Sequence, residues 1–155
     1  MSDTQKQFSR VQRALARVEK NKNRVLEEYE DDIWCFFQNC WHLKDWVKND
    51  GAISIKHRDA VEKDVRKFEE LKICEDLANR SKHLKLTRNI QMNAEVKKRN
   101  TIIFAGPPGE GYGKYEFKIQ TANGREFDAI EVAKKSVEHW ETILRSYGVD
   151  INCVV

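Results

Sequence analysis

The stretch CWHLKDW, at positions 40–46, combines a histidine and an aspartate with two tryptophans. His42 and Asp45 lie three residues apart, so on a helix they share one side. An imidazole and a carboxylate placed together can transfer protons, and the same atoms are ligands for zinc, iron or manganese. We therefore treat His42 and Asp45 as candidates for catalysis or metal binding, and Trp41 and Trp46 as candidates for ligand binding.

A second stretch, CEDLANRSKH at positions 74–83, carries an acid, an amide, a guanidinium group and a histidine. Steps of three, four and seven residues return to the same side of a helix, so these side chains are expected within an arc of about 100°. They are Asp76, Asn79, Arg80 and His83. We take Asp76, Asn79 and His83 as catalytic candidates, Asp76 and His83 as metal candidates, and Arg80 as a binding candidate.

The two stretches form one site only if their helices face each other. In that case the histidines, acids and amide converge in a partly desolvated pocket, where perturbed pKa values and catalysis are usually found. The alternative is a charged helix face in solvent, with His42 as a core histidine satisfied by one hydrogen bond. A metal is less favoured, because the spacing matches no strong metal-binding signature. No cofactor is predicted.

Apolar residues at helical spacing predict the elements that carry these side chains. Residues 33–47 are apolar nearly all round the helix, so the helix that contains them should be central and buried from both sides. A cap at Asp128, with Glu131 three residues later, marks the start of a final amphipathic helix. The predicted helical segments are 4–21, 24–48, 54–86 with a bend or break near 69–72, and 128–147.

β-branched and alternating residues after position 100 predict a small antiparallel sheet. TIIFAG and KYEFKIQT are the predicted strands, Asn123-Gly124 is a hairpin turn, and the segment 106–113, rich in glycine and proline, is a loop that fails the phosphate-loop template. The class is α+β, a mostly helical bundle with a small antiparallel β-hairpin or sheet inserted before the C-terminal helix. We expect a single domain over 1–155, with a helical part at 4–99 and the hairpin plus C-terminal helix at 101–147.

The composition limits the function classes. Lys plus Arg total 28 against 25 Asp plus Glu, and this net charge of +3 gives little support to tight, charge-driven nucleic-acid binding, although a local basic patch is compatible with it. No apolar run approaches the length of a membrane span, and the first twenty residues are too polar for a signal peptide. The four cysteines form no CxxC pair, so we expect reduced thiols, a cytoplasmic location and no membrane partner.

Three stretches together resemble a family of small, uncharacterised bacterial proteins: FFQNCWHLKDWVKND, ICEDLANRSKHLKL and GREFDAIEVAKKSVEHWETIL. The shared pattern is an H-L-x-D-W helix, a D-x-A-N-x-x-K-H helix and a final helix ending around a tryptophan, and some members are carried by mobile elements such as integron cassettes. The resemblance adds Lys82 to the catalytic candidates and favours a real polar site, but it implies no particular activity. The positions that match the pattern are His42, Asp45, Trp46, Asp76, Asn79, Lys82 and His83.

A looser similarity is to the HEPN group of helical domains, many of which are ribonucleases. Their nuclease signature places a histidine four to six residues after an arginine, whereas His83 follows Arg80 by only three. The chain therefore departs from the HEPN nuclease signature. The resemblance still allows acid–base work by His83 with charge stabilisation by Arg80 or Lys82.

The sequence therefore predicts a binding or interaction module with a polar pocket of His, Asp and Asn side chains between two helices. One alternative is an enzyme that uses His42 and His83, either HEPN-like and acting on RNA or a metal-dependent hydrolase. Another is a purely structural polar network. The predicted partners are a second copy of the chain, another protein or a small polar ligand, with less support for nucleic acid.

Overall fold

The computed structural model describes residues 1–21, 26–82, 90–104 and 111–152. Within these ranges the chain forms five α-helices and a three-stranded sheet that lies between the fourth and fifth helices in sequence, which confirms the mostly helical α+β class. The helices are α1 (Asp3–Asn21), α2 (Leu26–Asn49), α3 (Ile55–Val65), α4 (Glu69–Arg80) and α5 (Ala129–Ser146). The strands are β1 (Glu95–Phe104), β2 (Gly111–Gln120) and β3 (Glu126–Asp128).

Helix α2 is the centre of the bundle, as its apolar composition predicts. It contacts the other four described helices. Its buried residues lie on more than one side, because a helix between several neighbours must bury several faces. They are Tyr29, Ile33, Phe36, Phe37, Cys40, Trp41, Leu43 and Val47.

Helix α5 closes the bundle and begins as the sequence predicts. The Asp128 carboxylate accepts hydrogen bonds from the backbone N–H groups of Ile130 at 2.8 Å and Glu131 at 3.2 Å, which satisfies two donors of the first turn. Trp140 is fully buried, and its indole N–H donates to the Cys40 carbonyl oxygen at 3.0 Å. This bond joins α5 to the middle of α2.

The predicted break after α3 occurs slightly earlier than expected. Helix α3 ends at Val65, and Phe68 is extended, with φ −108° and ψ 127°, before α4 begins at Glu69. The extended backbone lets the Phe68 ring stack on His139 of α5, with 4.2 Å between ring centroids. Helix α4 then ends at Arg80, so the helix predicted to run to 86 is shorter, and residues 83–86 lie outside the described ranges.

The sheet is antiparallel, with strand order β1-β2-β3. Its Asn123-Gly124 turn is confirmed, and Gly124 adopts φ 79°, which glycine tolerates without strain. Strand β1 begins at Glu95, so the expected helical part ending at 99 is wrong at that end, and β2 begins at Gly111, inside the segment predicted as a loop. Both strands are longer than predicted, because the two backbones pair with each other from Glu95–Gln120 to Phe104–Gly111.

The sheet covers one end of the bundle. Phe117 and Ile119 of β2 are buried, and the Phe117 ring packs edge-on against Tyr29 of α2, with 5.0 Å between centroids. None of the helices in the described ranges combines the length and apolar character needed to cross a membrane.

Candidate functional site

A polar cleft of about 390 Å³ lies where α2, α3 and α4 meet. It brings together four residues singled out from the sequence, His42, Asp45, Asn79 and Lys82, and Trp41 lies beside them. The CWHLKDW and CEDLANRSKH helices therefore do face each other along part of their length. The complete lining in the described residues is Trp41, His42, Lys44, Asp45, Glu62, Arg66, Glu75, Asn79 and Lys82.

One wall of the cleft is a paired charge between α3 and α4. Arg66, the residue after α3, donates from Nε to Glu75 Oε2 at 3.0 Å and from Nη2 to Glu75 Oε1 at 2.7 Å. The Glu75 side chain is only 2% exposed, whereas that of Arg66 is 35% exposed. This two-pronged bond neutralises a buried carboxylate and fixes the guanidinium plane.

A second part of the lining is a chain of ion pairs between α2 and α3. Lys44 Nζ lies 2.6 Å from Asp45 Oδ1 and 3.8 Å from Glu62 Oε1, and Lys48 Nζ lies 2.7 Å from the same Glu62 oxygen. The Lys44 ammonium is also 4.9 Å from the centre of the Trp41 ring, a cation–π distance. The hydrogen bond from Lys48 lowers the pKa of Glu62. Both carboxylates of this wall are therefore already matched by lysines.

Three other side chains of the lining have no partner among the described residues. The imidazole of His42, the amide of Asn79 and the ammonium group of Lys82 make no hydrogen bond or ion pair with any other side chain of the described residues, although all three line the cleft. Polar groups in a water-filled cleft bond to solvent, which a ligand can replace. Within the described lining, these three groups are free to bind a ligand.

His42 is held in its neutral form near pH 7. Burial lowers the pKa of this imidazole below its ordinary value, the positive charge of Lys82 lowers it next, and the carboxylate of Asp45 opposes the shift. A neutral imidazole offers one donor and one acceptor nitrogen. His42 can therefore either donate to a ligand oxygen or accept a proton.

The structure places Asp76 away from the cleft. Its side chain is fully buried and accepts from the backbone N–H groups of Gln91 at 2.8 Å, Met92 at 2.7 Å and Ala94 at 3.1 Å. A fully buried carboxylate held by three backbone N–H groups is not accessible to a ligand in the cleft. Asp76 fixes the chain that leads into β1. The sequence predicted Asp76 either in the polar pocket or on a solvent-exposed helix face, and both predictions are wrong.

Arg80 has the same structural task. Its Nε donates to the Ala94 carbonyl oxygen at 2.6 Å, and its Nη2 donates to Asn93 Oδ1 at 2.7 Å. Asn93 has a positive φ of 50°. The chain therefore turns sharply between Met92 and Ala94, whose backbone N–H groups both donate to Asp76. Arg80 therefore anchors the same chain as Asp76 and does not line the cleft.

The remaining candidates are distributed differently from the prediction. Trp41 is 7% exposed and forms an apolar floor, while Trp46 lies on the other side of α2, where the Arg10 guanidinium sits 5.1 Å from its ring centre. His83 lies outside the described residues, so its place relative to His42 stays a prediction. In the part of the chain that is described, no group of three His, Cys, Asp or Glu side chains is arranged to hold a metal ion.

Sequence reasoning missed the charged framework of the cleft. A signal for it was present, because position 75 precedes Asn79 by four residues and Lys82 follows three later, which places all three on one helix side. Positions 62 and 66 have the same four-residue spacing at the C-terminal end of α3. The residues that were not singled out are Lys44, Glu62, Arg66 and Glu75.

Comparisons with protein-family models, with curated proteins and with solved structures find no match to this chain.

Proposed function

We propose that this protein is a binding module whose cleft takes a small, polar ligand carrying an oxyanion. The observation that supports it is a set of three side chains without described partners, His42, Asn79 and Lys82, in a lining whose described carboxylates are all ion-paired. Within the described lining, Lys82 is the cation that no carboxylate neutralises, so an anionic group of the ligand would pair with it.

The chemistry of the other two groups narrows the ligand further. A neutral imidazole and a primary amide each offer a donor and an acceptor, which suits hydroxyl, carbonyl or amide groups next to the anion. Apart from Trp41 the lining consists of polar and charged residues, which disfavours an apolar molecule. A volume of about 390 Å³ is at the lower end for ligand sites. A small carboxylate or phosphate compound meets all of these conditions.

The experiment is an NMR titration of the full chain. The imidazole signals of His42 are followed while inorganic phosphate or acetate is added to millimolar concentration. We expect saturable shifts in the natural protein and their loss in Lys82→Gln, because the substitution removes the only unmatched positive charge in the described lining. If inorganic phosphate binds more tightly than acetate, the ligand is a phosphate compound. If acetate binds more tightly, the ligand is a carboxylate.

The matched control is Lys56→Gln, which removes the same charge from an exposed lysine of α3 outside the cleft. It should leave the titration unchanged. The proposal is wrong if neither anion produces a saturable shift, or if Lys82→Gln and Lys56→Gln respond alike, since the binding would then be a general charge effect.

A catalytic role for His42 is the second candidate, and the lowered pKa of its imidazole favours it. A neutral imidazole can act as a general base at neutral pH, with the Lys82 ammonium stabilising developing negative charge. The test is cleavage of a single-stranded RNA by the full chain. Activity lost in both His42→Ala and Lys82→Gln would support catalysis, and no cleavage, or cleavage equal in His42→Ala, would exclude this role for His42.

We also propose a cytoplasmic location. The described cysteines Cys35, Cys40 and Cys74 are all free, which is usual in a reducing compartment. The resemblance to bacterial proteins of mobile elements would place the binding module in that setting.

A further inference from the structure

The exposed side of α1 carries a row of positively charged side chains that lie outside the cleft. The basic residues follow one another at steps of four, three, four and three, which keeps them on one side of the helix. All five are exposed, while the opposite side of the helix packs into the core. The row, which we call the α1 basic row, is Lys6, Arg10, Arg13, Arg17 and Lys20.

Most of this charge is not neutralised within the described residues. Lys6 pairs with Asp3 at 2.9 Å, and Arg17 Nε lies 3.5 Å from Asp32 Oδ1. The other three members of the row have no ion pair with a described carboxylate: Arg10 donates to Gln7 Oε1, Arg13 donates to Ser9 Oγ, and Lys20 makes no described hydrogen bond. The row is therefore a local positive patch on a chain whose net charge is only +3.

The dimensions of the α1 basic row match a linear polyanion. Fourteen residues separate its ends, which at the helical rise is about 21 Å. One strand of duplex DNA carries a phosphate about every 3.4 Å along its axis, so the row spans about six phosphates. Lys and Arg at regular intervals along one face are the electrostatic footprint of nucleic-acid backbone binding.

We propose that the α1 basic row binds the phosphate backbone of a nucleic acid. Contacts of Lys and Arg side chains with phosphate oxygens carry no direct information on base sequence. A lipid surface fits less well, since the apolar residues of α1 that would insert into a bilayer, Phe8, Val11, Ala14 and Val18, are at most 1% exposed. The inference is independent of the ligand in the cleft.

The experiment measures fluorescence anisotropy of a labelled DNA duplex and a labelled single-stranded RNA, each of roughly 20 nucleotides per strand, over a series of salt concentrations. The full chain should bind at low salt, with affinity that falls as salt rises. In Arg13→Gln/Lys20→Gln we expect binding about tenfold weaker and a slope of log K against log salt reduced by about 2, because two phosphate contacts are lost.

The matched control is Lys56→Gln/Lys63→Gln, which removes the same net charge from exposed positions of α3. It should keep both the affinity and the salt slope. Thermal unfolding of both variants checks that the fold is intact.

Three results would overturn the inference. They are no binding of either nucleic acid at low salt, an equal loss in the α1 and α3 double variants, and binding to vesicles containing phosphatidylserine without binding to nucleic acid. The last would assign the α1 basic row to anionic lipid headgroups instead.

Discussion

Helix α4 presents two polar sides that differ in one respect, whether their hydrogen bonds are satisfied within the protein. On one side Asp76 and Arg80 bind the chain at 91–94 through five described hydrogen bonds. On the other, Asn79 and the following Lys82 face the cleft without a described partner. Neighbouring residues of one motif, such as Asn79 and Arg80, thus have opposite roles, and hydrogen-bond satisfaction, rather than residue type, separates the structural side from the candidate binding side.

The physical reason is the location of water. A buried carboxylate without partners would cost several kcal/mol, so Asp76 must be fully bonded in the folded protein. A polar group at the edge of an open cleft bonds to water at little cost. Only the second kind of group can exchange its partner for a ligand.

Removing Asp76 should have the largest effect and would test the structural side. Asp76→Ala leaves the backbone N–H groups of Gln91, Met92 and Ala94, which are partly or fully buried, without their acceptor, and we expect the free energy of unfolding to fall by about 3 to 5 kcal/mol. Urea denaturation measures it. Asp76→Asn keeps one oxygen acceptor and should lose less. A loss below about 1 kcal/mol in Asp76→Ala would show that the chain at 91–94 is held by other contacts.

An intermediate loss of stability is expected at the ion pair of Arg66 and Glu75, which lines the cleft but is satisfied within the protein. Arg66→Met leaves the Glu75 carboxylate, 2% exposed, without its partner. Because Arg66 itself is partly solvated, we expect a loss of about 2 kcal/mol, below the range for fully buried pairs. Urea denaturation of Arg66→Met is compared with that of Arg66→Met/Glu75→Gln.

The double variant should recover part of the loss, since a neutral amide is less costly to bury than an unpaired carboxylate. If both variants lose the same amount, the buried charge is not the cause, and the packing of the Arg66 stem would explain the loss instead.

The smallest change in stability is expected at Lys82, together with a clear change in the site. Lys82→Gln should alter the free energy of unfolding by less than about 0.5 kcal/mol, because the ammonium group has no described partner. Its positive charge lowers the pKa of His42, so its removal should raise that pKa. An NMR pH titration of the imidazole signals measures the shift, with Lys56→Gln as the control that leaves it unchanged.

The same variant changes the pH dependence of stability. With a folded-state pKa below the unfolded value, His42 binds fewer protons in the folded protein, so it reduces stability as pH falls through about 6.5. Lys82→Gln brings the two pKa values closer and should make this acid-side decline smaller. An unchanged pKa and an unchanged decline would mean that the Lys82 ammonium does not lie near the imidazole.

The sequence alone predicted the elements whose signal is local. The segment 33–47, with apolar residues on nearly all sides, identified the central helix. Asp128 marked the start of α5, and Asn123-Gly124 marked a turn of the sheet. Capping, turn geometry and helical periodicity act between residues a few positions apart, so they can be read directly.

The extent of β1 and the shape of the site were not readable in the same way. Glu95 begins a strand because Gln120 pairs with it across the hairpin, although the preceding pattern resembles a helix. In the site, the sequence predicted His42, Asp45 and Asn79 as neighbours but placed Asp76 beside them. Strand pairing and burial depend on what lies opposite, which residue spacing does not encode.

What the sequence by itself determined is therefore the mostly helical α+β class and the pair of motif helices that carry the polar side chains. What only the tertiary structure decided is which of those side chains are free. The Asp76 carboxylate accepts hydrogen bonds from backbone N–H groups fifteen to eighteen residues further along the chain, whereas Asn79 faces an open cleft. The helix periodicity places both residues on neighbouring sides, but the cost of burying an unbonded polar group assigns their roles, and that cost is set by the packed neighbours.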